Sequence, residues 1–108
     1  MKQAEKDSLR ITDQFRGRRG FVYDFRCQGT RLTLCIVPRA SPDDSDEWCI
    51  EARSSHAPGA VVVAEWGPTR VDALRAVGRS WVSRAPQHGL PSFDWDAVAT
   101  ALTQVRAL

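Results

Sequence analysis

Two stretches of strict two-residue alternation, with a glycine between them, constrain this chain more than any other feature. Residues 21–28 read Phe-Val-Tyr-Asp-Phe-Arg-Cys-Gln and residues 31–37 read Arg-Leu-Thr-Leu-Cys-Ile-Val. A strand sends successive side chains to opposite faces. The pattern therefore describes two half-buried strands, with Phe21, Tyr23, Phe25 and Cys27 inward on the first and Leu32, Leu34 and Ile36 inward on the second. Gly29-Thr30 between them fits a two-residue type II′ hairpin loop, which takes glycine at its first central position. The expected register pairs Gln28 with Arg31, Phe25 with Leu34 and Tyr23 with Ile36. A slip of one residue would mix the two faces.

The remaining segments extend this hairpin. Pro38 is expected to end the second strand, and residues 38–47 are a polar stretch rich in turn formers. A third strand over 48–53 turns Trp48, Ile50 and Ala52 inward. A fourth, over 60–66, has Val62, Ala64 and Trp66 as its inward set, with a flipped strand as the alternative because Val61 and Val63 make both faces apolar. Gly67-Pro68 breaks that strand, and Thr69 with Asp72 forms a capping box that opens a helix. Val71, Leu74, Val77 or Gly78, Trp81 and Ala85 recur at helical spacing until Pro86 stops them. A second helix opens at Asp94, with Phe93 placed to staple onto Val98 and a stripe of Trp95, Val98, Leu102 and Val105.

Strands followed by helices make a two-layer α+β domain, with both C-terminal helices on one face of an antiparallel sheet. The sheet has four strands, or five if Leu9, Ile11 and Phe15 belong to an added edge strand. The competing reading puts Ala4, Ile11 and Phe15 on one helix face. Residues 1–8 are expected to be disordered and 9–108 to be a single domain.

Composition sets the class. With 108 residues, 43% apolar, the chain can bury one core without disulfides or a structural metal. No run approaches the length of a membrane span, and the first residues lack the apolar region of a signal peptide. With three cysteines, an odd number, this reads as a cytoplasmic protein with reduced thiols and no membrane partner.

The net charge of +2 conceals a partition. Residues 1–40 carry nine basic and four acidic groups, residues 41–52 five acids and no base, and residues 53–108 six basic and four acidic groups. Thirteen of the fifteen basic residues are Arg, while Asn is absent and Val outnumbers Ile ten to three. That bias is the mark of GC-rich coding DNA, so arginine abundance alone is not a binding signal.

Two surfaces are candidates for function. The first is the sheet face opposite the aromatics, on which Val22, Thr33, Val37, Val61 and Val63 fall together with Cys35 and Cys49. An apolar sheet face of this kind marks an interface, so these residues are the candidate contacts with a protein partner or a second copy of the chain. The second is the basic region with Arg10, Arg16, Arg18, Arg19 and Arg31. Guanidinium groups on the Gly17 to Gly20 loop can clamp phosphates in bidentate fashion, which makes a nucleic-acid-binding regulator the alternative. A Gly-x-x-Gly loop grips nucleic acid in KH domains, where it joins two helices. Here a strand pattern follows it, and only the phosphate chemistry carries over.

Catalytic signatures are missing. There is no nucleophile elbow, dinucleotide fingerprint or phosphate-binding loop, and His56 and His88 both fall in loops without an expected partner. The cysteine spacing does not suit zinc, and Asp43 to Glu47 lacks the glycine and glutamate of a calcium-binding loop. No catalytic residue, metal or cofactor is assigned. A small-ligand role would need a concave pocket where the two helices meet, near His88, Trp81 and Trp95.

Overall fold

A computed structural model describes residues 10–16, 20–27, 30–40, 46–55 and 62–108. Five strands come first: β1 (Arg10–Arg16), β2 (Phe21–Cys27), β3 (Thr30–Ala40), β4 (Asp46–Ser54) and β5 (Val63–Gly67). Two helices follow, α1 (Arg70–Arg84) and α2 (Trp95–Gln104), with a short 3-10 turn (Ala85–His88) between them. Every strand pairs antiparallel with its neighbour in sequence, so the sheet order is β1-β2-β3-β4-β5. The architecture is the expected α+β one, and Arg10–Arg16, with Ile11 and Phe15, forms the fifth strand rather than part of a helix, while Ala4 and Leu9 lie outside the described residues. Residues 1–9, including the whole of the stretch expected to be disordered, lie outside the described residues.

The alternation builds the core. Tyr23 and Phe25 of β2, Leu32, Leu34 and Ile36 of β3, and Ile50 and Ala52 of β4 are all buried on one face of the sheet. Against them pack Ala73, Leu74, Val77 and Trp81 of α1 and Val98 and Leu102 of α2. Full burial of each larger side chain contributes about 1.5–3 kcal/mol, so this single seam accounts for most of the driving force.

Both helix starts form as the sequence implies. The Thr69 hydroxyl accepts from the Asp72 amide at 3.1 Å and donates to the Asp72 carboxylate at 2.9 Å. Asp94 accepts from the amides of Asp96 and Ala97. Each cap contributes about 1 kcal/mol. Phe93 and Val98, expected to staple together, are both in the core. Trp81 meets Phe93 edge-on at 5.5 Å and donates its indole N–H to the Pro91 carbonyl at 2.9 Å, which ties the linker to α1.

Three expectations need correction. The β2–β3 register is shifted by two residues: Phe25 pairs with Leu32, Tyr23 with Leu34 and Cys27 with Thr30, so Thr30 belongs to β3. A shift of two leaves every side chain on its expected face, and a glycine serves a two-residue turn at either central position, so the pattern does not separate the two registers. Pro38 does not end β3, which runs to Ala40 and pairs Pro38 with Trp48. β2 begins at Phe21 opposite Ile36, so Pro38 lies past its end, where a strand tolerates a missing donor.

The third correction concerns β5. Ala52 pairs with Val63, Ile50 with Glu65 and Trp48 with Gly67, which places Val63, Glu65 and Gly67 on the helix side. Trp66 points to the opposite face and is 45% exposed, and Val63 is core. Glu65 is accommodated beneath α1 because Ser80 donates its hydroxyl to the carboxylate.

Candidate interaction face

Among the described residues, both helices lie on the Tyr23 side of the sheet and none covers the other side. The register arranges that open face in rows. At one end Val37 pairs with Cys49, and Cys49 with Trp66. The next row runs Val22, Cys35, Glu51 and Ala64 across four strands, and the third runs Asp24, Thr33 and Arg53. At the far end Arg26 stands opposite Arg31. The face thus grades from an apolar end to a basic one.

Its polar middle is internally bonded. Thr33 donates its hydroxyl to Asp24 at 2.6 Å, directly across the β2–β3 pair. Arg53 meets Glu51 at 3.4 Å, two positions apart on the same strand face. Cys35, a free thiol, sits between Val22 and Glu51. Burial pushes its pKa up, the Glu51 carboxylate adds to the rise, and Arg53 opposes it. The thiol is therefore held in its neutral form at pH 7.

Of the residues expected to form a protein interface, Val22, Thr33 and Val37 are on the open face and partly buried. Val63 is not, for it is 1% exposed beneath the helices. Val61 lies outside the described residues. Trp66 takes the place of Val63 on this face, and the signal for it is Gly67, which must lie under α1 and so fixes the phase of the strand. Among the arginines, Arg31 is exposed, and Arg10 and Arg16 belong to β1, where the backbone of Arg10 pairs with Arg26. Arg18 and Arg19 lie outside the described residues.

A concave site does occur between the helices. It is a groove of about 590 Å³ lined by Trp95 among others, whereas Trp81 is buried in the core and His88 is not part of the lining. Among the described residues no group of His, Cys, Asp or Glu side chains is placed to hold a metal ion. No helix among them is long and apolar enough to cross a membrane.

Fold and site together define a two-layer α+β domain in which the described residues leave one sheet face open and form a groove between the two helices. No protein-family model, curated protein or solved structure matches the chain.

Proposed function

We propose that this protein is a non-catalytic, cytoplasmic interaction module that binds a protein partner, a second copy of itself, through the open face of its sheet. The observation that carries the reading is the Val37–Cys49–Trp66 row, with Val22 and Cys35 beside it, on a face that no helix among the described residues covers. Tryptophan is enriched among the residues that dominate interface energetics, and 45% exposure leaves Trp66 with apolar area still to bury. The surround suits self-association. The rest of the face carries both signs, Asp24 and Glu51 beside Arg26, Arg31 and Arg53, so a second copy docked on the apolar end about a two-fold axis does not meet a surface of a single charge. The oligomeric state of the wild type and of Trp66→Glu tests it.

A second reading rests on a different observation. The register sets Arg10, Arg26 and Arg31 on three adjacent strands. Arg26 and Arg31 are exposed, and neither makes an ion pair with a described residue. Like charges directly opposite one another are disfavoured in a sheet unless an anion bridges them. A nucleic-acid backbone supplies such an anion. This reading expects a mobility shift with mixed DNA and RNA that weakens steeply with salt and is lost in Arg26→Ala with Arg31→Ala. Absence of any shift at low salt contradicts it.

A further inference from the structure

The groove between α1 and α2 is lined by residues of both helices and the chain that follows, and by none of the sheet. Its floor is Leu74, Gly78, Trp95 and Ala99, and its volume of about 590 Å³ is in the range of small-molecule sites. Gly78 shapes it, since a Cβ there would stand 3.2 Å from the Trp95 ring, so the indole can lie directly on α1. Val71 and Val82 flank the groove and are 40% and 66% exposed. This is apolar surface that the fold does not use.

Two features add polarity to the floor. Arg75 and Arg79, one helical turn apart, both line the groove, and no carboxylate comes within ion-pair distance of either among the described residues. Like charges at this spacing destabilise a helix, a cost that an anion between them reverses. The Trp95 indole nitrogen is buried and has no acceptor among the described residues. A buried donor without a partner is unfavourable, so the ring that lines the groove carries a hydrogen bond still to be made. Asp96, on the α2 side of the same groove, limits the charge that the site accepts. A monoanion is favoured over a doubly charged phosphate ester.

We propose that this groove binds a small organic carboxylate with an apolar body, of the class of a medium-chain fatty acid. The body lies on Leu74, Trp95 and Ala99, and the carboxylate is held by Arg75 and Arg79 through charge-assisted hydrogen bonds.

The test follows the Trp95 indole N–H in proton–nitrogen correlation spectra of the full chain, assigned with Trp95→Phe. Decanoate is titrated against decanol, which has the same body without the charge. The expected result is a saturable shift of the Trp95 resonance, with decanoate binding roughly tenfold more tightly than decanol. Arg75→Gln combined with Arg79→Gln should remove that preference while leaving decanol binding intact, and Ala99→Leu should block both ligands. No saturable shift, equal affinity for decanol, a preference that survives the double Gln variant, or binding that survives Ala99→Leu would each overturn the proposal.

Discussion

Gly67 lies so close beneath the first turn of α1 that a Cβ on it would stand 2.6 Å from the backbone nitrogen of Ala73. Position 67 must therefore face the helix. Strand alternation then puts Glu65 and Val63 on the same side as Gly67, and Trp66 on the other. The residue that lets α1 dock is thus also the one that turns a tryptophan out onto the open face.

This contact predicts a specific cost. Gly67→Ala should lower stability by about 1–3 kcal/mol, because the atoms in the way are backbone and not the end of a flexible side chain. Urea midpoints of the wild type and the variant measure it. A change of less than about 0.5 kcal/mol, the size expected of a neutral surface substitution, would contradict the close approach.

The two tryptophans on opposite sides of the sheet should behave oppositely. Trp81 is 1% exposed and hydrogen-bonded to Pro91, and Trp81→Ala should cost about 3–5 kcal/mol. Trp66→Ala, which removes a side chain already 45% exposed, should cost the monomer no more than about 1–2 kcal/mol. Denaturant unfolding of both variants at low protein concentration decides this, and comparable losses would mean that β5 is not flipped.

The strands that alternate cleanly were legible from their residues. Tyr23, Phe25, Leu32, Leu34, Ile36, Ile50 and Ala52 are all inward as expected. So were both helix starts, because Thr69 reaches only to Asp72, and Asp94 only to Asp96 and Ala97, each within three residues. Two things were not legible. A hairpin shifted by two residues keeps its faces, so alternation carries no information about that shift. In β5, hydrophobicity favoured a buried tryptophan and an exposed glutamate, and the structure reverses both. The deciding terms are the Gly67–Ala73 approach and the Ser80–Glu65 hydrogen bond, and each joins β5 to a helix position that strand periodicity does not encode. The open face was therefore anticipated in Val22, Thr33 and Val37 but not in Trp66. The interhelical groove was anticipated only through Trp95.

Cys35 carries a pH dependence. Its pKa is raised chiefly by burial and secondarily by Glu51, with Arg53 opposing. The folded state thus holds the thiol proton more tightly than the unfolded chain. The resulting stability is fully present below the unfolded thiol pKa and is lost as pH rises through the folded one. Alkylation of Cys35 by iodoacetamide, resolved by peptide mass spectrometry, should be slower than that of the unfolded chain at pH 7–8. Glu51→Gln should speed it and Arg53→Gln should slow it further. Equal rates in the folded and unfolded chain would contradict the shift.

If the open sheet face binds a second copy of the chain, sedimentation equilibrium across a wide concentration range should give a monomer–dimer equilibrium for the wild type. Trp66→Glu should stay monomeric throughout, with an unchanged far-ultraviolet circular dichroism spectrum. A wild type that is monomeric at its highest soluble concentration, or a dimer that persists in Trp66→Glu, would contradict it.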